Sequence, residues 1–239
     1  MALSDKDLYP KVLVAVPTYE GKDYMFHEFY QNIMKFTYPN ATLIIIDNSK
    51  DMHYFLKLKR RGFKNITHVP RGDNSRQALC NAQNYARTKM LDEGYDYLLF
   101  VESDLLPPPD VIERLMAHNK PVVGVFYLLG AGTKKVPCIF LKEYKSTALG
   151  MGTRLITPDE YQQYTLNGLQ RVHGTGLGTT LIRRDIMQRF YFWHDERFTD
   201  KHSDVYFYMD LDNNAIPVYV DTDIIVEHKP SQWELVKDK

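Results

Sequence analysis

Two cysteines, Cys80 and Cys138, are all that 239 residues contain, so no disulfide framework braces the chain. Nothing at the amino terminus has the basic, apolar, small-residue order of a secretory leader. A reducing, cytoplasmic setting is the expectation. Long apolar runs are missing too. The longest are strand-sized, far short of the ~20 residues a membrane-spanning helix needs, so no transmembrane segment is predicted. Lysine plus arginine equals aspartate plus glutamate at 30 each, and zero formal net charge leaves no global field to draw the protein to nucleic acid or anionic lipid. Repeats, low-complexity tracts and Gly/Ser linkers are absent. Two phosphate signatures are absent as well: no G-x-G-x-x-G opens a helix after the first apolar run, and no G-x-x-x-x-G-K-[ST] occurs. Any phosphate must then be met mainly by metal and basic side chains rather than by a glycine cradle.

What is present is ordinary for a globular enzyme, 44% hydrophobic and 25% charged, with 17 tyrosines and two tryptophans. That aromatic supply is compatible with a site that grips sugars or bases. Continuous apolar runs predict strands over 11–16, 43–46, 65–69 and 96–104, alternating with helices over 22–36, around Leu56 and Leu58, and over 76–91 behind a Ser75 N-cap. Strands without polar alternation, separated by helices, argue for a mostly parallel open sheet covered on both faces. Further on come a strand over 121–127, hairpins and loops over 136–170, a glycine-rich turn in 172–182 and a short helix over 184–190. A helix behind Ser203 and strands over 217–220 and 224–227 close the pattern.

In open α/β sheets ligands gather beyond the carboxyl ends of the strands. Here those ends carry Pro17-Thr18-Tyr19-Glu20, then Asp47-Asn48, then Asp73 to Arg76, and finally Glu102-Ser103-Asp104. In an extended chain, residues two apart point the same way and lie about 6 to 7 Å apart, so Glu102 and Asp104 can reach one divalent cation and its bound phosphates together. Ionised carboxylates at the lip of an apolar strand are costly to desolvate unless something cationic meets them. The loop Gly174-Thr175-Gly176 could let a substrate approach the backbone, and it reads equally well as a tight turn. Trp193, Tyr191 and Tyr127 could stack on a sugar or base, or simply pack. The cluster from Lys57 to Arg61 is read first as the solvated last turn of a helix before Gly62.

The order of these features resembles the GT-A glycosyltransferases, particularly the inverting family 2 type: Pro17-Thr18-Tyr19 after the first strand, Asp47 after the second, Arg76 to Asn84 on a helix, the Glu102-Ser103-Asp104 triplet, Gly174 to Thr180, Asp204 at a helix start, and His228 near the end. The resemblance implies an α/β, GT-A type, Rossmann-like open sheet forming one catalytic domain, with residues 1–126 binding the nucleotide-sugar and 127–239 the acceptor. It implies that Pro17, Thr18, Tyr19, Glu20 and Asp47 line the base and ribose pocket. Arg76 and Ser103 would lie on the donor side near the diphosphate. Asp104 and His228 would ligate the cation, Glu102 would touch the ribose or complete the metal site, and Asp204 would be the general base. Two departures stand out: Glu102 replaces the family's usual Asp, and Ser203-Asp204 its usual Glu-Asp.

The implied reaction moves a sugar from a nucleotide-sugar, a UDP-sugar first of all, to an acceptor hydroxyl, with inversion if Asp204 is the base. Oxygen and imidazole ligands suit Mn2+ or Mg2+, and the histidine favours Mn2+. The acceptor is left open among glycans, lipid carriers, proteins and, as in some viruses, a modified DNA base, the last motivated here by Lys57 to Arg61. A viral origin would put the protein in the host-cell cytoplasm. Two rivals use the same carboxylates: a metal-dependent nucleotidyl or phosphoryl transferase, needing neither His228 nor Asp204, and a non-catalytic sugar-nucleotide-binding module.

Overall fold

The computed structural model describes residues 8–130, 135–143, 152–197 and 202–229. Its first half runs β1 (Val12–Thr18), α1 (Phe26–Ile33), β2 (Ala41–Asp47), α2 (His53–Arg60), β3 (Ile66–His68), α3 (Ser75–Asp92), β4 (Tyr97–Val101), β5 (Leu105–Leu106), α4 (Val111–Ala117) and β6 (Val122–Phe126). The second half adds β7 (Leu128–Leu129), β8 (Val136–Pro137), β9 (Ile139–Glu143), β10 (Gly152–Leu155), β11 (Leu169–Val172), β12 (Gly174–Thr175), β13 (Thr179–Arg183), α5 (Arg184–Arg189), α6 (Ser203–Asn213), β14 (Val218–Ile225) and β15 (Glu227–His228). Residues 131–134, and 144–151 within the hairpins and loops expected over 136–170, lie outside the described residues.

Eight strands form the central sheet in the order β3-β2-β1-β4-β13-β6-β14-β11. The four predicted strands of the first half are parallel neighbours. Beyond β4, β13 inserts antiparallel between β4 and β6. Burial explains the apolar runs: Leu13, Ala15, Leu98 and Phe100 pack on one face with Ala82, Ala86 and Met90 of α3. Val12, Val14, Val16, Leu99 and Val101 pack on the other with Phe26, Phe29 and Leu58.

Several expected boundaries move. Pro17 does not end β1; the strand continues to Thr18 beside β2, and pairing with β4 stops at Ala15, so the missing N–H of Pro17 falls where no ladder needs it. The helix expected over 22–36 splits into a 3-10 turn, Glu20–Lys22, and α1. Asn74, not Ser75, caps α3, accepting from Gln77 N at 3.0 Å. Ser203 lies inside α6 and His202 is its N-cap, because the Ser203 hydroxyl is spent on Gln83 at 2.6 Å. The two terminal strands are one, β14, with an irregular register between Asp221 and Ile225, followed by the separate two-residue β15.

Candidate active site at the tips of β1 and β4

Strand order reverses around β1, with β2 and β3 on one side and β4 on the other, so the crevice opens beyond the tips of β1 and β4. The two tips are joined by the hydroxyls of Thr18 and Ser103, 3.0 Å apart and both buried. Glu102, Ser103 and Asp104 do not extend β4 as the sequence suggested. Leu105 N–H closes on the Glu102 carbonyl at 3.1 Å, and Glu102 N–H on the Gly178 carbonyl at 2.7 Å. The triplet is therefore a tight turn that bends Asp104 toward β15.

This turn explains how His228 arrives. Buried Leu105 pairs with His228 across the antiparallel β5–β15 ladder, and Lys229 N–H donates to the Asp104 carbonyl at 2.9 Å. Residues 124 apart in sequence thus meet, with His228 Nε2 3.4 Å from Asp104 Oδ2. The His228 Nδ1–H donates to the Leu128 carbonyl at 2.9 Å, which fixes the ring and leaves Nε2 aimed at the carboxylate. Lys22, not foreseen in the sequence, places its ammonium on the same Asp104 Oδ2. The other oxygen, Oδ1, is buried and has no hydrogen-bond partner among the described residues.

The charges interact strongly. Burial opposes ionisation of Asp104, but the His228 hydrogen bond and the Lys22 charge outweigh it and hold the carboxyl below its ordinary range. Burial, and next the Asp104 charge, push Glu102 up to about 7, against the pull of Lys22 and His228. For His228, burial works downward, yet its bond to Asp104 and that carboxylate's charge raise it overall.

A cation at this point fits the residues present. A buried carboxylate oxygen without a partner, an imidazole oriented through its other nitrogen and a neighbouring carboxyl make an oxygen and nitrogen donor set suited to Mn2+ or Mg2+. Among the described residues no three His, Cys, Asp or Glu side chains close into a cage. Two protein ligands with the remainder from phosphate and water is the arrangement these ions favour at phosphate sites. His228→Ala is expected to raise the Mn2+ concentration for half-maximal binding about tenfold or more, read by titration, with little change in melting temperature because the Lys229 to Asp104 backbone bond remains.

Around the β1–β2–β3 tips, Asp47 is fully buried. Its Oδ1 accepts from Ser49 N at 3.1 Å and Ser49 Oγ at 2.6 Å, and its Oδ2 lies 2.7 Å from His68 Nδ1. Ser49 Oγ in turn accepts from Glu20 N–H at 3.0 Å. Asp47 thus organises the loop that presents exposed Glu20 and half-buried Tyr19. Arg76 stands in the first turn of α3, half-buried.

Helix α6 carries Asp204 in its first turn, half-buried, its Oδ1 accepting from Val205 N–H at 2.8 Å. Burial raises its pKa, with His202 pulling the other way. The Asp204 charge bears on Glu102 and on Tyr127, and raises the pKa of both. Trp193 stacks on Tyr206 at 4.4 Å and donates Nε1–H to Asp210 at 2.8 Å; Tyr191 is exposed, and Tyr127 is buried beside His228.

Gly174, Thr175 and Gly176 are buried rather than open to a substrate. Their small size is demanded from within: a Cβ on Gly174 would lie 2.8 Å from the Tyr208 ring, and one on Gly176 2.0 Å from the Tyr127 hydroxyl and 2.9 Å from Cys138 Sγ. Gly176→Ala is expected to cost about 1–3 kcal/mol by overpacking, measured by urea unfolding. Within the basic cluster, Lys57 and Arg61 both bind Asp23, at 2.8 and 2.7 Å, while remaining exposed.

No protein-family model and no curated protein matches the chain. Solved structures do. S. aureus TarS 1-349 in complex with UDP superposes with TM-score 0.55 at 18% identity, over 95% of this chain and 62% of that one. The same protein with UDP-GlcNAc gives TM-score 0.51 at 18% identity, over 92% and 57%. GalNAc-T7 with UDP, GalNAc and Mn2+ gives TM-score 0.64 at 12% identity, over 93% and 44%. The fold of this chain is the GT-A open sheet. Among the described residues no helix is long and apolar enough to cross a membrane.

Proposed function

We propose that this chain is a metal-dependent glycosyltransferase that moves a sugar from a UDP-sugar to an acceptor hydroxyl with inversion. The observation that carries the reading is the meeting of Asp104 and His228, 3.4 Å apart though 124 residues separate them in sequence, with Asp104 Oδ1 buried and without a partner among the described residues. Nucleotides in the superposable folds support the donor class, and Mn2+ in one of them supports the cation.

In this reading Thr18, Tyr19 and Glu20, backed by Pro17 and Asp47, hold base and ribose, and Arg76 and Ser103 face the diphosphate. Asp104 and His228 would hold the cation, with Glu102 beside them. When bound, such a cation withdraws charge from the departing diphosphate without a proton being moved. Asp204, in the first turn of α6, takes the proton of the attacking hydroxyl; its raised pKa makes it a better base than an ordinary carboxylate. Attack from the side opposite the leaving group inverts the anomeric centre. Residues 1–126 then form the donor side and 127–239 the acceptor side, with His228 crossing back to the donor, and Trp193 beside α6 offers the acceptor a partly exposed ring.

The test is incubation with Mn2+ and a panel of UDP-sugars. Release of UDP supports the reading. Release of pyrophosphate or a phosphorylated product contradicts it, as does binding without turnover across glycan, protein and DNA acceptors.

A further inference from the structure

Lys22 has no role in the scheme above, and its placement is constrained from both sides. Gly21 lies beneath the folded-back Tyr19 ring, where a Cβ would come within 2.3 Å of it. Asp23 is clamped by Lys57 and Arg61, and Tyr24 donates its hydroxyl to the Lys229 carbonyl at 2.5 Å, one residue beyond His228. These ties deliver the Lys22 side chain, itself mostly buried, to Asp104 Oδ2, whose side chain is 1% exposed.

We infer that Lys22 is a resident cation of this site, seated on Asp104 where a divalent ion would bind, so that the ion enters together with a diphosphate rather than alone. The inference rests on Asp104 and His228 being the metal-holding pair. A divalent ion arriving alone finds two protein ligands and an ammonium already on one of them. It must either sit against a like charge or strip the ammonium from a buried carboxylate, and both are costly. An ion arriving with a diphosphate brings anions of its own. These complete its coordination and offer the flexible lysine stem a new partner. A site filled by the ammonium about nine-tenths of the time shows an apparent Kd about tenfold weaker than its intrinsic one.

Electron paramagnetic resonance of free Mn2+, with and without UDP, reads this directly. Wild-type protein is expected to bind Mn2+ weakly alone and at least tenfold more tightly with saturating UDP. Lys22→Met is expected to bind Mn2+ alone about tenfold more tightly than wild type, with the UDP enhancement reduced by the same factor, because no ammonium then has to leave Asp104 before the ion binds. Lys22→Arg should keep the weak binding. Equal Mn2+ affinity of wild type with and without UDP would overturn the inference without needing any variant, and so would Lys22→Met binding no more tightly than wild type. Asp104→Asn separates the two levels. If it loses Mn2+ while Lys22→Met matches wild type, only the role of Lys22 falls; if it binds Mn2+ as wild type does, the metal pair falls as well.

Discussion

Asp104→Asn is expected to lower Mn2+-dependent kcat/KM by about 10³-fold or more, equivalent to about 4 kcal/mol of transition-state stabilisation. The substitution keeps the size of the side chain and removes its charge. Asp104 is fully buried and meets Lys22 and His228 at one oxygen, so an amide there leaves neither a competent ligand for the cation nor a counter-charge for the ammonium. UDP binding should weaken in the presence of Mn2+ and change little in its absence. That contrast separates loss of the ion from general damage, and a melting curve recorded alongside reports the latter. Unchanged turnover would remove Asp104 from the chemistry.

Asp204→Asn is expected to remove a factor of about 10² to 10⁴ from kcat while leaving the Kd for UDP as it is. The residue stands in the first turn of α6, and its charge acts on Glu102. Its raised pKa sets the sign of the pH effect. The base must be ionised, so the wild-type rate should fall as pH is lowered through a value above the ordinary carboxylate range, and stay high above it. In Asp204→Asn the remaining rate should lose that acid limb. Full activity in the variant would point to a retaining or substrate-assisted route, which the stereochemistry of the product would then show.

Much of the donor half was legible because its signals are local. Apolar runs such as Ile44 to Ile46 and Leu98 to Val101 are buried on both faces, and unbroken runs have few other readings. The positions of Asp47, Glu102 and Asp104 at strand tips followed from the same pattern. Asp104 and His228 were named as partners from a resemblance, and the β5–β15 ladder supplies the physical reason they meet.

Other features depend on contacts that a linear reading does not contain. The tight turn at Glu102–Leu105 forms because Glu102 N–H is taken by Gly178 and Lys229 N–H by Asp104. Lys22 looked like the start of a helix, and only the clamp on Asp23 and the Tyr24 to Lys229 bond carry it to the site. The roles of Ser49 and His68 in holding Asp47 were likewise hidden, although Ser49, two residues on from an aspartate, is a common local hydrogen-bonding partner. The glycines at 174 and 176 carried a signal of close approach, but the approaching groups are Tyr208 and Tyr127 rather than a substrate.

The most direct measurement is anomalous diffraction at the manganese edge from crystals grown with Mn2+ and UDP. A single strong peak in contact with both Asp104 and His228 Nε2, with the UDP diphosphate on its open side and Lys22 moved off Asp104, is the expected result. Manganese bound elsewhere, or UDP bound with the Lys22–Asp104 pair intact and no metal between Asp104 and His228, would contradict it.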